Sequence, residues 1–128
     1  MKRLLLDTHV LLWWLSDDFQ LGEAARQAIS NPRNQVYVSA ASTWEISIKK
    51  SIGKLSAPED MDAIVENEGF DKLPITLFHG EQAGLLPGHH KDPFDRMLIA
   101  QAQSEGLVIV TNDEKIIQYN IRTMNAKN

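Results

Sequence analysis

The sequence of 128 residues contains no cysteine. This absence excludes disulfides, cysteine-ligated zinc and thiol catalysis. No apolar run approaches the ~20 residues that a membrane span requires. Lys2 and Arg3 followed by leucines resemble the start of an export signal, but Asp7 and His9 interrupt the apolar stretch and no small-residue cleavage site follows. We therefore expect a cytosolic protein with no membrane association.

Positive charge is also scarce. The chain has 13 Lys and Arg against 17 Asp and Glu, which gives a net charge of −4, and its pI is about 5.5. This balance argues against a protein that binds nucleic acid by simple electrostatics. It does not exclude a metal-dependent enzyme acting on nucleic acid, because bound cations offset clustered acids. The length and the 43% hydrophobic content predict a single globular domain over residues 1–128.

Short apolar runs alternate with helical patterns along the chain. The patterns predict strands at 3–6, 36–38, 73–76, 107–110 and 121–124. They predict helices at 8–16, 22–30, 41–52, 58–68, 78–86 and 92–105, and a further helical turn after Thr111. The continuous apolar run Leu4-Leu5-Leu6 is typical of a buried parallel strand. Together these elements predict an α/β fold with a mainly parallel sheet.

Two acidic residues follow predicted strands. Asp7 comes directly after Leu4-Leu5-Leu6, and Asp113 lies three residues after Val110. Ligands of open α/β sheets bind outside the carboxyl ends of the strands, which makes both residues candidates for a site. Each has a structural alternative, because Asp7 can serve as a helix N-cap and the sequence from Thr111 to Glu114 resembles a capping box.

Two further acids lie on predicted helices near apolar faces. Asp95 falls inside the apolar arc of the 92–105 helix, and Glu45 borders a predicted apolar stripe formed by Ala41, Trp44, Ile48 and Ile52. The alternatives are a favourable interaction of Asp95 with the helix dipole and a solvated Glu45. Since carboxylates are seldom buried unless they are paired or bind a metal, the pattern predicts one shared acidic pocket.

An acidic pocket of this kind needs a counter-ion. Two carboxylates about 5 Å apart repel each other by roughly 3 kcal/mol at an effective dielectric constant near 20, and without a cation one of them takes up a proton. Mg²⁺ or Mn²⁺ suits oxygen ligands of this type. The sequence has no HExxH motif and His89 and His90 are adjacent, so we expect no zinc site and we expect all histidines to lie in loops or on the surface.

These residues belong to sequence motifs that resemble a known family. The motifs are LLDTH at 5–9, SAASTWEI at 39–46, DPFDRMLIAQA at 92–102 and VTND at 110–113. In this order, and over the whole chain, they look like the successive motifs of PIN-domain proteins, and within that group they resemble the VapC toxins of bacterial toxin–antitoxin pairs. The resemblance implies one PIN domain with a five-stranded, mainly parallel sheet flanked by helices.

The resemblance also implies an activity and a site. It implies an endoribonuclease dependent on Mg²⁺ or Mn²⁺ that cleaves RNA phosphodiesters by metal-activated water. The implied catalytic acids are Asp7, Glu45, Asp95 and Asp113, of which Asp7, Asp95 and Asp113 hold the metal. Supporting hydroxyl groups are implied at Thr8, Ser39 and Thr111. Asp92 is an alternative third acid, and Asn112 stands where many relatives carry a basic residue.

RNA binding requires local positive charge, for which we predict Lys49, Lys50 and Arg96 as contacts; the alternative is an ordinary solvated face. The resemblance implies a VapB-type antitoxin as partner and allows a homodimer. Other interpretations are a PIN-type nuclease acting on DNA or structured nucleic acid, and a non-catalytic metal-binding regulatory module. A P-loop enzyme is excluded because the GxxxxGK[ST] motif is absent.

Overall fold

The computed structural model of the protein describes all residues from 1 to 128. Its centre is one sheet of the parallel strands β1 (Arg3–Leu6), β2 (Gln35–Ser39), β3 (Asp71–Leu73), β4 (Val108–Thr111) and β5 (Thr123–Asn125). The strand order is β3-β2-β1-β4-β5. The predicted α/β class is therefore confirmed, with a sheet that is parallel throughout.

Helices cover both faces of this sheet. They are α1 (Thr8–Leu15), α2 (Glu23–Ser30), α3 (Ala40–Ser51), α4 (Met61–Asn67), α5 (Leu77–Leu85), α6 (Pro93–Glu105) and α7 (Glu114–Ile117). Successive side chains of a strand point to opposite faces. Leu4 and Leu6 accordingly pack into one apolar core and Leu5 into the other. Burial on both faces explains why β1 reads as a continuous apolar run. No helix has the length and apolar character needed to cross a membrane.

The order of the strands positions the candidate site. The chain leaves β1 toward β2 and β3 on one side and returns to place β4 on the other side of β1. The carboxyl ends of β1 and β4 therefore lie side by side, with their chain connections leading in opposite directions. Such a switch point is where open α/β sheets form a crevice for ligands. Asp7 and Asp113 both follow the strands at this point.

Three predicted elements have bounds that differ from those of the structure by more than one residue. The helix predicted at 58–68 begins only at Met61, because Asp60 adopts the left-handed conformation with φ of 57°. The strand predicted at 73–76 is Asp71–Leu73, and Pro74, which has no N–H group, follows its end. The last strand lies at Thr123–Asn125 rather than at 121–124. All three are short elements, whose bounds depend on tertiary pairing more than on local pattern.

The apolar stripe predicted for α3 is its buried face only at Ala41. Trp44 is 60% exposed and Ile52 is 58% exposed, whereas Ser42, Glu45 and Ile46 are buried. The helix presents this mixed face to the protein because Glu45 finds hydrogen-bonding partners there. A satisfied polar group can be buried where an isolated one cannot. Glu45 is thus on the inner face of α3 rather than at its border.

Candidate metal and catalytic site

Asp7 ends β1 and begins α1. Its Oδ1 accepts a hydrogen bond from the backbone N–H of Val10 at 2.8 Å, so it is an N-cap, and its side chain is almost completely buried. Burial raises the pKa of Asp7 above its usual value, although hydrogen bonds from Thr111 and Val10 act in the opposite direction. Asp7 is therefore a helix cap and also a buried carboxylate with uncompensated charge. The helix-cap interpretation of Asp7 is confirmed, and its role in a metal site stays a prediction.

One histidine, His90, contacts the carboxylates of both Asp95 and Asp113. The Nε2 atom of His90 lies 2.8 Å from Oδ2 of Asp95 and 3.3 Å from Oδ2 of Asp113. Asp95 occupies the first turn of α6, and Asp113 is the N-cap of α7. Burial, together with repulsion from Asp92 and Asp7, raises the pKa of Asp95 to about 7 in spite of the hydrogen bond with His90. The site thus concentrates negative charge that its own residues only partly neutralise.

Glu45 reaches the same region from α3. Its Oε1 accepts a hydrogen bond from the hydroxyl of Thr8 at 2.7 Å, and its Oε2 lies 2.6 Å from Nζ of Lys49. The hydrogen bond with Glu45 raises the pKa of Lys49, and attraction to Asp92 and Asp95 adds to this effect. The Lys49 ammonium group therefore faces the acids. Both oxygens of Glu45 are thus engaged by donors of the protein, Oε1 by Thr8 and Oε2 by Lys49.

The supporting residues divide into two groups. Thr8 and Thr111 lie beside the acids: Thr8 donates to Glu45, and the hydroxyl of Thr111 accepts the backbone N–H of Asp113 and lowers the pKa of Asp7. Ser39 instead caps α3 and donates to Oε1 of Gln101 at 2.6 Å. The structure brings the two threonines to the acids and directs the Ser39 hydroxyl to Gln101.

Asp92 has a structural role. Its Oδ1 accepts hydrogen bonds from the backbone N–H groups of Phe94 and Asp95 at 2.9 and 3.0 Å, as an N-cap of α6 does. Its charge also raises the pKa of Asp95. Asp92 thus fixes the helix start that presents Asp95 and acts on its ionisation through space. Its predicted alternative role as the third acid stays a prediction.

The three predicted RNA contacts have different surroundings. Lys49 faces the acids, and Lys50 lies 3.0 Å from the carboxylate of exposed Glu59. The guanidinium group of Arg96 donates to the backbone carbonyls of Ala83, Leu86, Pro87 and His90. In this structure its donors are committed to the segment that precedes α6. The RNA contacts stay predictions.

The expectation that all histidines lie in loops or on the surface is wrong for His79, whereas His90 lies in a loop but is buried there. His79 is 1% exposed and lies in α5, and His90 is 8% exposed and lies among the acids. Sequence reasoning missed His90 because it stands in a loop, where hydrophobic periodicity gives no signal. The only available signal was its position two residues before the N-cap of the helix that carries Asp95.

The residues present fit a hard divalent cation. One atom each of His90, Asp95 and Asp113 lie within 4.8 Å of one another. Asp7 belongs to the same electrostatic cluster, because its charge raises the pKa of Asp95 and that of Asp113 raises its own. Burial and, to a smaller extent, neighbouring acids raise the pKa values of Asp7 and Asp95, and a bound cation would favour their ionised forms. A donor set dominated by carboxylate oxygens suits Mg²⁺ or Mn²⁺.

Comparisons with known proteins agree with this geometry. The PIN domain profile matches residues 4–121. The chain is 32% identical over 124 residues to Ribonuclease VapC22 of Mycobacterium tuberculosis, and the match covers 91% of each protein. Its structure is similar to DNA-bound VapBC from Salmonella typhimurium, with a TM-score of 0.70, 24% identity and coverage of 97% and 98% of the two chains.

A second solved structure has the same fold. VapBC2 from Rickettsia felis bound to a promoter DNA fragment matches with a TM-score of 0.68 and 14% identity, over 96% of this chain and 98% of the other. These likenesses extend over nearly the whole chain, in agreement with the four sequence motifs. The predicted resemblance is confirmed, and the chain belongs to the PIN domain family.

Proposed function

We propose that this protein is a metal-dependent endoribonuclease that acts as the VapC-type toxin of a toxin–antitoxin pair. The observation that carries the proposal is the meeting of Asp7, Glu45, Asp95 and Asp113 from separate elements at the switch point of the sheet. The similarity to a relative named as a ribonuclease supports RNA as the substrate. We place its action in the cytoplasm.

Asp7, Asp95 and Asp113 would hold the metal. A bound Mg²⁺ or Mn²⁺ would polarise the phosphodiester and activate water for its hydrolysis. Thr8 and Thr111 orient the acids through the hydrogen bonds described above. The chain needs no nucleophilic side chain for this reaction, which is consistent with a site made of carboxylates and hydroxyls.

Lys49 supplies positive charge at the edge of the acidic site. Its pair with Glu45 fixes the ammonium group beside the carboxylates, where it can contact a phosphate of the RNA backbone. Lys50 lies in the last turn of the same helix and pairs only with an exposed acid and a carbonyl. We propose these two lysines as the RNA contacts nearest the site, since Arg96 is engaged by carbonyls.

The partner we propose is a VapB-type antitoxin. Support comes from the solved neighbours, which are VapBC assemblies. A homodimer is a further proposal. Co-expression of this chain with the antitoxin encoded beside it, followed by size-exclusion chromatography with light scattering, measures both stoichiometries.

The test of the activity uses purified protein and labelled total RNA, with EDTA, Mg²⁺ or Mn²⁺. The variants are Asp7→Asn, which removes a buried site carboxylate, and Asp71→Asn, a control that changes an exposed acid on β3. Single-stranded and duplex DNA are included as alternative substrates. We expect RNA cleavage by the wild type and by Asp71→Asn that requires metal, and none by Asp7→Asn.

The other outcomes distinguish the alternatives. Metal-dependent cleavage of DNA but not RNA would replace the proposal with a DNA-directed nuclease. Metal binding without cleavage of any substrate, by protein freed of antitoxin, would favour a non-catalytic regulatory module. Equal cleavage by all variants would identify a contaminating nuclease and leave the assigned site without support.

A further inference from the structure

We propose that His90 is a positioning residue of the acidic site, an N–H donor that joins Asp95 to Asp113, and that it is not a metal ligand. The inference rests on the proposed metal site. Proximity alone suggests the opposite, because one Nε2 atom of His90 lies close to both carboxylates. The distinction depends on which ring nitrogen carries the proton.

The hydrogen bonds of the ring decide where the proton lies. The backbone N–H of Asp92 donates to Nδ1 of His90 at 3.4 Å. An atom that accepts a hydrogen bond carries no proton, so in the neutral ring the proton is on Nε2. Nε2 then donates to Oδ2 of Asp95 at 2.8 Å, with Oδ2 of Asp113 as the second acceptor at 3.3 Å. If Nε2 bound a metal, the ring proton would move to Nδ1. The Nδ1–H group would then point at the backbone N–H of Asp92, and the two donors would repel each other.

Contacts around the preceding loop hold the ring in this position. The backbone N–H of His90 donates to the hydroxyl of Tyr119 at 2.9 Å, and that hydroxyl donates to the carbonyl of Pro87 at 2.6 Å. Arg96 donates to the carbonyl of His90 at 3.0 Å and to three other carbonyls of α5 and the loop. Arg96 and Tyr119 are both anchored outside this loop. They therefore position His90 independently of any metal.

The shared N–H donor of His90 affects the interaction between Asp95 and Asp113. Asp95 and Asp113 lie on different helices and repel each other when both are ionised. A shared N–H donor holds one oxygen of each in place and lowers this repulsion before a cation arrives. Residues that orient metal-binding groups in this way affect metal affinity by about 10–100-fold. His90 would thus preorganise the site without occupying a coordination position.

The first experiment measures the protonation of the ring directly. Protein labelled with ¹⁵N on its histidines is titrated with Mg²⁺, and imidazole ¹⁵N shifts and couplings to carbon-bound protons are recorded by NMR. We expect His90 to carry its proton on Nε2 before and after Mg²⁺ is added, with Nδ1 unprotonated. A proton on Nδ1 in the Mg²⁺-bound protein would overturn the proposal, because it would make Nε2 a ligand.

The second experiment compares His90→Gln, which keeps an N–H donor on a side chain of similar length, with His90→Ala. His79→Gln serves as the control, since His79 is a buried histidine that pairs with Glu105 and with none of the four candidate site acids. Mn²⁺ affinity is measured by calorimetry. We expect a loss of about 10–100-fold for His90→Ala, substantial recovery in His90→Gln and wild-type affinity in His79→Gln.

Unchanged Mn²⁺ affinity in folded His90→Ala would overturn the proposal. A lower melting temperature without a change in affinity would equally contradict it, since it would show a role in folding only. Neither measurement uses RNA cleavage. Failure of the ribonuclease proposal and failure of the His90 proposal are therefore distinguishable.

Discussion

Two buried histidines of this protein have the same local bonding and different surroundings. His79 accepts the backbone N–H of Thr76 on Nδ1 at 3.0 Å, and its Nε2 lies 3.0 Å from the carboxylate of Glu105. His90 accepts the N–H of Asp92 on Nδ1 and faces Asp95 with Nε2. The pattern of an N–H acceptor and a carboxylate partner is thus repeated within one small domain.

The difference lies in the number and exposure of the acids. Glu105 has a side chain that is 41% exposed, so water solvates its charge, and His79 completes the capping box of α5. His90 faces two carboxylates at once, and the pKa of Asp95 is raised to about 7 by burial and by neighbouring acids. A histidine–carboxylate pair alone therefore does not identify a functional site. The additional buried carboxylates around His90 are what make that pair part of a candidate site.

The largest expected effect comes from replacing the carboxylate partners of the two histidines, Asp95 and Glu105. Asp95→Asn should lower RNA cleavage by at least about 100-fold, because it removes a proposed metal-binding oxygen and its charge from the site. Glu105→Gln should leave the cleavage rate per folded molecule unchanged. Rates are measured on a labelled RNA at saturating Mg²⁺. Equal losses in both variants would show that the two pairs do not differ as described.

A smaller effect is expected where a hydroxyl supports an acid. Thr8→Val keeps the shape of the side chain but removes the 2.7 Å hydrogen bond to Oε1 of Glu45. We expect cleavage to fall by about 10–100-fold, as for other groups that orient a metal site. The control is Thr43→Val on the outer part of α3, where the hydroxyl donates only to the carbonyl of Ala40. Full activity of Thr8→Val would remove Glu45 from the proposed machinery.

Replacing His79 should lower the stability of the fold and leave cleavage unaffected. His79→Ala removes the acceptor of the Thr76 backbone N–H and the bond to Glu105. We expect the free energy of unfolding to fall by about 1–3 kcal/mol, with the cleavage rate per folded molecule retained. Urea denaturation followed by circular dichroism gives the first quantity. A cleavage defect that persists in the folded fraction would make His79 part of the site.

The smallest expected effect is a pH dependence of the melting-temperature shift that Mg²⁺ produces. The pKa values of Asp7 and Asp95 are raised in the folded chain. The stability that protonated Asp95 contributes to the metal-free fold is fully present below its unfolded pKa of 3.8 and is lost as the pH rises toward about 7, and Asp7 acts in the same direction. Mg²⁺ competes with those protons. We expect Mg²⁺ to raise the melting temperature more at about pH 8 than at about pH 5.5.

Differential scanning fluorimetry with Mg²⁺ or EDTA measures this difference. Asp95→Asn should reduce the pH dependence, whereas Glu105→Gln should preserve it. A Mg²⁺ effect of the same size at both pH values would show that the raised pKa values are not linked to metal binding.

Much of the fold could be predicted from local pattern. The long helix α6 was delimited by Asp92 at its start and by Gly106, whose φ of 70° suits glycine, at its end. The strands β1 and β4 were evident from apolar runs that are buried on both faces. The inner face of α3 could not be predicted in this way. Burial of Glu45 depends on Thr8, which lies 37 residues away in sequence.

In the candidate site, too, some features could be predicted from local sequence and others depend on tertiary packing. Asp7 and Asp113 were identified because they follow strands, which is a property of position along the chain. The contact of His90 with Asp113 depends on the packing of the loop before α6 against Tyr119 and the end of β4. Ser39 occupies a motif position, yet the tertiary structure directs its hydroxyl to Gln101.

The sequence by itself determined the alternation of strands and helices, the net negative charge and which acids stand at the ends of elements. These features follow from short-range periodicity and from the identities of neighbouring residues. Only the tertiary structure decided which acids lie together, which histidine contacts them and which backbone carbonyls accept hydrogen bonds from Arg96. The physical reason is that burial and charge interactions depend on distances in space, and strand order and loop packing set those distances.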